Sequence, residues 1–389
     1  MKKEELKTKV KEQVNLRHQE LIELSLKIHA NPELGLQERK AAAWLSDYIE
    51  KNGFRVERSI TGLKTAFRGI YGSGKPVIAL VAEYDALPEL GHGCGHNIIA
   101  SSAIGAGIAS KVAIDQVGGS ILILGTPGEE LFGGKIIMVE RGAFDKVDIA
   151  MMVHPGTRNM ATTQALACIP LCVEFIGKSA HAAAQPHKGI NALEAMIMAF
   201  TAINSLRQQI REKARIHGII TDGGKAANVV PAHSAAKFLV RAEDSAYLEE
   251  LKEKLLDCFI GASLATGAQL KYEWGDKTYA PMNNNPVLAQ LFSHNLESLG
   301  RKIEPYETRF GFGSTDMGNV SQVVPSIHAS VAIAPDEVST HTPEFAKAAA
   351  SEAGHAALVD AAKAMAMTAV DVLSKPETLT SIKEAFRQK

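Results

Sequence analysis

A chain of 389 residues is too long for one simple hydrophobic core and suits two domains, or one domain carrying another as an insertion. Its composition, 46% hydrophobic and 22% charged, is that of an ordinary folded globular protein, and 42 basic against 43 acidic residues leave a formal charge of -1. That balance excludes a general affinity for nucleic acid or for an anionic membrane, so neither is expected as a partner.

The N-terminal MKKEELKTKVKEQ is charged and amphipathic without an apolar segment, so no secretory signal is read there. From about residue 4 to 52 the pattern predicts helix, broken at Asn31-Pro32 and stopped at Asn52-Gly53. Val77 to Val81 is expected as a buried strand, followed by a loop over 83–96 and a helix of small residues from Asn97. The uncharged run from Asn97 to Ser110 is too short and too rich in small residues to span a bilayer, and burial against a sheet explains it. Ser120 to Gly125 (SILILG) predicts a second strand, ending in the loop TPGEE. Asp148 to Val153 (DIAMMV) predicts a third, ending at His154. Strands alternating with helices point to an α/β layer structure with a mostly parallel sheet and helices on both faces.

Near Cys168 the character changes. Leu171, Val173 and Phe175 alternate as in a strand exposed on one face, and a helix is predicted from Asn191 to about Glu212. An alternating strand from Ala235 to Ala242 precedes a second helix from Ala246 to about Thr266. This βαββαβ-like pattern is that of a compact α+β (ferredoxin-like) unit, expected as an insertion over 168–279 between the two parts of the larger domain, 1–167 and 280–389. The α/β pattern resumes at Pro286 and ends in an alanine-rich helical region from Pro343 to Leu373.

The stretch EYDALPELGHGCGHNIIA, Glu83 to Ala100, holds His92, Cys94 and His96 within five residues. Cys94-Gly-His96 alone is weak evidence for a metal, since cysteine is commonly buried and inert and a lone histidine is commonly structural. Polar residues at the ends of the other strands change the reading, because the C-terminal edge of an open α/β sheet is where ligand crevices form. Gly128-Glu129-Glu130 offers adjacent carboxylates, one to bind a cation and one to take a proton from water, which is the division a metal hydrolase requires. His154-Pro155-Gly156 closes the third strand, and His341-Thr342-Pro343 precedes the last helical region. Cys94, His96, Glu130, His154 and His341 make five donors, too many for one tetrahedral structural zinc and suited to two divalent ions sharing a bridge. The chemical rival is a nucleophilic Cys94 paired with His96, which leaves Glu129, Glu130, His154 and His341 without a role. The four cysteines, Cys94, Cys168, Cys172 and Cys258, lack the spacing of a disulfide framework, and a reducing cytoplasm is the expected location.

Taken together, the motifs resemble the M20 family of dinuclear metallopeptidases and amidohydrolases, which includes aminoacylase, bacterial glutamate carboxypeptidase and the indole-acetyl-amino-acid hydrolases. The resemblance is carried by AEYDALPELGHGCGHN (82–97), TPGEE (126–130), HPG (154–156), GKSAHAAAQPHKGINALEA (177–195), NVVP (228–231), GSTDMGNVS (313–321) and HTPEF (341–345), in the expected order. It looks nearest to the branch with p-aminobenzoyl-glutamate hydrolase and the aminoacylase-1-like proteins. The resemblance implies Cys94 as the bridging ligand, Glu129 as general base and Asp85 as the aspartate that orients a metal-bound histidine. It implies that the inserted domain is a lid or dimerisation domain and that its His181 polarises the scissile carbonyl, often from the partner subunit. Asn228 and Arg241 would hold the substrate carboxylate, with Gly313 and Ser314, together with Gly311, in a glycine-rich substrate loop. The implied reaction is metal-dependent hydrolysis of the amide bond of an N-acyl amino acid or short dipeptide, by two zinc or manganese ions, cobalt also fitting, in a homodimer or larger homo-oligomer. A metal-dependent binding module that has lost catalysis is the competing class. Two positions depart from other branches: Asn97 stands where an aspartate is usual, and Glu83 where a histidine ligand is.

Overall fold

The computed structural model describes residues 2–304 and 313–388. Its backbone divides into two compact units, one of Met1–Gln164, Met282–Gly311 and Thr315–Lys389, the other of Ala165–Pro281 and Phe312–Ser314. The insertion is therefore a few residues wider at each end than 168–279 and draws in a short later piece; Gly311 lies outside the described residues.

The first unit opens with helices α1 (Lys3–Leu16), α2 (His18–His29) and α3 (Arg39–Lys51). Besides the expected break at Asn31-Pro32, the chain leaves helical geometry at Arg17, with φ −113° and ψ 6°. No proline or glycine marks that second break. There follow β1 (Arg55–Arg58), β2 (Phe67–Ser73), β3 (Val77–Ala82), α4 (His96–Val117), β4 (Gly119–Gly125), α5 (Glu129–Phe132), α6 (Gly134–Glu140) and β5 (Ile149–Gly156). β5 runs past its predicted end, so His154 lies inside the strand and not beyond it.

The second unit contains β6 (Ala167–Ile176), α7 (Ala192–Leu206), β7 (Arg215–Asp222), β8 (His233–Ala242), α8 (Ser245–Thr266) and β9 (Gln269–Trp274). The predicted helix to Glu212 stops at Leu206, because Arg207–Gln209 tightens into a 3-10 turn and the Arg207 guanidinium donates to the Ile216 carbonyl on β7 at 2.8 Å. The strands pair antiparallel in the order β7-β8-β6-β9, which is the arrangement of a ferredoxin-like unit. Leu171, Val173 and Phe175 turn one face of this sheet into a core shared with Ala199 and Ile203 of α7 and Leu251 and Leu255 of α8.

The chain returns to the first unit with α9 (Pro286–Glu297), α10 (Met317–Val323), β10 (Ser326–Ala332), α11 (Pro343–Ala348), α12 (Glu352–Leu373) and α13 (Pro376–Arg387). The predicted region 343–373 is thus two helices, parted where the Ser351 hydroxyl accepts from Gly354 N and caps α12. Among the described residues the sheet of this unit runs β1-β2-β4-β3-β5-β10, parallel from β4 to β10 and antiparallel at the β1-β2 edge. Alternation dictates its two cores. Ile78, Leu80, Ile121, Ile123, Ile149 and Met151 pack against α1, α2, α4, α9 and α12. Ala79, Val81, Leu122, Leu124, Ala150 and Met152 pack on the other side with Met138 of α6 and Met317 and Val320 of α10.

α4 is longer than the uncharged run suggested, and by length and composition alone it would reach across a membrane. It is instead buried along nearly its whole length. Its small residues have a reason: a side chain at Gly105 would meet Leu21, and one at Gly107 would meet Ile123 of the sheet. Burying the alternating faces of β3, β4 and β5 leaves the loops at their C-terminal ends together at one edge.

Candidate metal centre

Each donor is set by a local feature of the backbone. Gly95, at φ +76°, turns the chain into α4 and puts Cys94 and His96 on either side of that turn. Gly128, at φ +71°, starts α5, so that Glu129 and Glu130 form its first turn. The buried Glu38 fastens this loop: its carboxylate accepts from Gly128 N at 2.7 Å and from the Thr65 hydroxyl at 2.9 Å. His341 takes the left-handed conformation at φ +62°, and its N–H donates to the Gly93 carbonyl at 2.9 Å, which ties the last donor to the loop of the first.

The five predicted donors converge. Cys94, His96 and His154 form one set and Cys94, Glu130 and His341 a second, with donor atoms inside each set within 4.8 Å of one another. Cys94 is common to both, the position of a bridging ligand. His96, Glu129 and Glu130 form a third set. Cys94 Sγ lies 3.4 Å from His154 Nε2, and Glu130 Oε1 lies 3.5 Å from His341 Nε2 and 3.8 Å from His96 Nε2. Asp85 orients two donors at once, accepting from His96 Nδ1 at 2.9 Å and from Glu130 N at 3.0 Å.

These contacts test whether cations fit. The bond to Asp85 places a His96 proton on Nδ1, so Nε2 is the ring atom that can offer its lone pair to a cation. His96 Nε2 and Glu130 Oε1 are both buried without a hydrogen-bond partner. A buried imidazole nitrogen and a buried carboxylate oxygen facing each other are satisfied by a positive charge between them, which a proton or a metal cation supplies. The donor chemistry of thiolate, imidazole and carboxylate suits divalent transition metals.

The electrostatics follow the same division. Burial alone would raise the Cys94 thiol, but His154 and His96 outweigh it and bring it down to about 6, so the thiolate is available at neutral pH. The Cys94 thiolate and the Glu130 carboxylate, which face its ring and stabilise the protonated form, carry His341 up to about 10. Burial also works to raise Glu130, yet His341 beside it and the charge of His96 hold it below the usual carboxylate range. Its neighbour goes the other way. Burial, then the carboxylates of Glu83, Asp316 and Glu130, push Glu129 well above that range. Adjacent carboxylates with opposed proton affinity are the mark of a ligand beside a base.

Sequence reasoning missed the layer beneath. Lys135 of α6 is fully buried, donates from Nζ to Asp316 at 2.6 Å and lies against Glu83 Oε1. Its signal was a single charge in the otherwise apolar run KIIM, but a lysine's partner is set by tertiary contact and no spacing names it. Burial outweighs Lys135 at Asp316 and takes that carboxyl up to about 6. His328 on β10 was also missed; it meets the Thr163 hydroxyl at 2.8 Å and packs edge-on to His154. His92, the third member of the Glu83 to Ala100 cluster, is buried and stacked on His29, and desolvation takes it down to about 3. Asn97 is structural, bonding Ser25 of α2 and the Ala349 carbonyl.

The remaining predicted residues belong to the second unit. His181 Nδ1 accepts from the N–H groups of Ala183 and Ala184 at 3.3 and 3.1 Å, which assigns its proton to Nε2 and makes the exposed ring a donor. Ala182 N donates to the Asn228 carbonyl and Val230 N to that of Ala180, so His181 and Asn228 stand on paired segments. Arg241, on β8, donates to the Ser314 hydroxyl at 2.7 Å, while Leu166 accepts from Ser314 and donates to the Gly313 carbonyl.

Comparison with known proteins places these features in context. Residues 171–262 match the family described as the peptidase dimerisation domain. The chain is 36% identical to the Xaa-Arg dipeptidase of Mus musculus, over 99% of this chain and 93% of that protein. It is 35% identical to one subunit of the p-aminobenzoyl-glutamate hydrolase of Escherichia coli strain K12, over 71% of this chain and 62% of that one. Among solved structures, a dinuclear metal-binding peptidase of the M20 family from Bacillus subtilis superposes with a TM-score of 0.73 at 20% identity, covering 92% of this chain and 99% of that one, a likeness of fold.

Proposed function

The chain belongs to the M20 peptidase family, and on that footing we propose that it is a two-metal hydrolase that splits the amide bond of a short dipeptide or an N-acyl amino acid. The observation that carries this reading is that Cys94 belongs to two donor sets at once, while Glu129, found in a third set with His96 and Glu130, belongs to neither of those two. Cys94, His96, Glu130, His154 and His341 would hold two divalent ions, whose chemistry when bound is to acidify water and polarise a carbonyl. Zinc or manganese suits that mixed sulfur, nitrogen and oxygen set, and cobalt also fits.

The chain's own groups do the rest. Glu129 takes a proton from the attacking water and returns it to the leaving amine. Asp85 keeps His96 Nδ1 protonated and so keeps Nε2 turned to the ion. His181 donates from Nε2 to the oxygen that gains negative charge, which lowers the barrier where charge develops. Arg241 and Asn228 hold the substrate carboxylate, with Gly313 and Ser314 shaping the loop beside Arg241. A Xaa-Arg dipeptide and p-aminobenzoyl-glutamate both carry an amide beside an amino-acid carboxylate, which sets the range of substrates to screen. The second unit serves as the dimerisation surface in this reading, supported by exposed apolar Ile219 on the edge strand β7 and Leu264 on α8. All four cysteines are free, which suits a reducing cytoplasm.

The test joins elemental analysis of purified protein to a panel of dipeptides and N-acyl amino acids, with and without chelator. Two ions per chain and chelator-sensitive turnover are expected. Turnover that survives chelation and is abolished by iodoacetamide replaces this reading with thiolate chemistry at the Cys94–His154 pair. Bound metal with no turnover leaves a binding module.

A further inference from the structure

Arg241 of β8 and His217 of β7 share one face of the second unit's sheet. Their neighbours Val240 and Ile216 are buried in the core beneath the helices, so alternation turns Arg241 and His217 to the opposite side. Arg241 Nε donates to His217 Nε2 at 3.3 Å, and its Nη1 donates to the Ser314 hydroxyl at 2.7 Å. That hydroxyl commits its own proton to the Leu166 carbonyl at 2.8 Å, so toward Arg241 it can only accept. Among the described residues Arg241 Nη2 has no partner. Both acceptors are neutral. Desolvation first, then the charges of Arg241 and Arg207, hold His217 below the ordinary imidazole range, so its ring accepts at Nε2 and carries its proton on Nδ1. Arg207 braces the strand at this point, donating to the Ile216 carbonyl from Nε and Nη2 at 3.1 and 2.8 Å. Arg215 stands in register with Arg241 and turns its guanidinium onto the carbonyls of Glu212 and Ala214. Among the described residues neither Arg215 nor Arg241 has an acidic partner. Like charges facing each other across strands destabilise a sheet, and a carboxylate at 217 would relieve that while tying the strands more firmly. A contact that served the sheet alone would not be built from an imidazole.

We propose that His217 is a positioning residue for the substrate carboxylate: as a neutral acceptor it fixes Arg241 at Nε, presents Nη2 to the ligand and leaves the guanidinium charge uncancelled. Ser314 fixes the other end of the same group in the same neutral way. An acid at 217 would hold the geometry and cancel the charge, while an apolar residue would keep the charge and release the geometry. The imidazole preserves both. The consequence is a preference for substrates that end in a free carboxylate over the same molecules closed as carboxamides, because only the former meet a full positive charge already in place. This inference rests on the reading of Arg241 given above and adds the residue through which that arginine is aimed.

The experiment uses the metal-loaded full chain with two probes, a dipeptide ending in arginine and p-aminobenzoyl-glutamate, each beside its α-carboxamide. KM and kcat are measured, and calorimetry gives the Kd of each probe independently of turnover. His217→Phe keeps a ring without an acceptor and is expected to raise KM and Kd roughly tenfold for the carboxylates, with little change in kcat or in the carboxamide values. His217→Gln, whose amide oxygen accepts from Nε, is expected to stay within about threefold of the wild type. His217→Asp keeps an acceptor but cancels the charge, and is expected to lose the preference for carboxylate over carboxamide. In an Arg241→Ala background His217→Phe is expected to change nothing further, since it acts through that arginine alone. Circular dichroism establishes that each variant is folded. A folded His217→Phe that binds as the wild type does, an aspartate variant that keeps the full preference, or effects that add to those of Arg241→Ala overturn the assignment. Failure of the hydrolase reading is seen separately, as wild-type protein that binds the probes without splitting them, and the Kd ratios then uphold or overturn the role of His217 by themselves.

Discussion

Glu129 and Glu130 are adjacent in the chain, yet the fold pushes their proton affinities in opposite directions. Glu130 is held ionised by His341 and His96, and Glu129 is pushed toward protonation by burial and by three neighbouring carboxylates. Glu129→Gln keeps both donor sets intact, so it should bind metal as the wild type does while turnover falls by about 10²–10⁴-fold. Paired kinetic and elemental measurements check this, and unchanged turnover removes Glu129 as the base. Asp85 acts through other residues, and Asp85→Asn should weaken metal retention by roughly 10–100-fold in chelator competition because it no longer fixes His96 Nδ1–H. The five candidate donors that the fold brings together could be picked out in the sequence because each lies at or near a strand or helix end within two residues of glycine or proline. Lys135, Asp316 and His328 were not, since what makes them part of the site is a contact across the fold and not a spacing along it.

At the scale of elements, the loop that carries Glu129 depends on α3. Glu38, at the entry to that helix, is driven up to about 7 by burial first, with Asp85 adding to the effect and its hydrogen bonds opposing it. Its ordinary value is 4.5, so over that interval the unfolded chain gives up the proton before the folded one does. Stability is therefore lost as pH climbs through this window and levels off above it. Glu38→Gln removes that slope, and melts at pH values on either side should show the variant gaining on the wild type as pH rises. A different network joins α1, α9 and α12, where buried Lys7 meets Asp371 and Asn295 at 2.8 Å each. Asp371→Ala strands the Lys7 charge and should cost roughly 3–5 kcal/mol in urea unfolding. β3, β4 and β5 were legible from their apolar runs. The breaks at Arg17 and before Ser351 were not, because a capping serine in an alanine-rich run and an arginine between two amphipathic helices carry no strong stop signal.

For the whole molecule, the βαββαβ order of the second unit was readable from its alternation, but its limits were not, since Phe312–Ser314 joins it from a distant part of the chain. If this unit pairs two copies and each His181 serves the partner's centre, Glu129→Gln and His181→Ala chains, each inactive alone, should complement one another when mixed. One site of each mixed dimer then holds every working group, and random pairing gives roughly a quarter of wild-type turnover. No recovery assigns His181 to the centre of its own chain. Sedimentation of the same mixture reports whether the copies associate at all.

The proposed metal donors come from both sides of the inserted unit in the chain, with Cys94, His96, Glu130 and His154 before it and His341 after it. A ribosome delivers the chain from its N-terminus, so four of the five are in hand while the last is still unmade. A polypeptide that ends before residue 341 presents an incomplete cluster, lacking the imidazole that His341 brings to Cys94 and Glu130. On the proposed two-metal reading, hydrolytic competence therefore arrives late in translation, and fragments released early are expected to lack it.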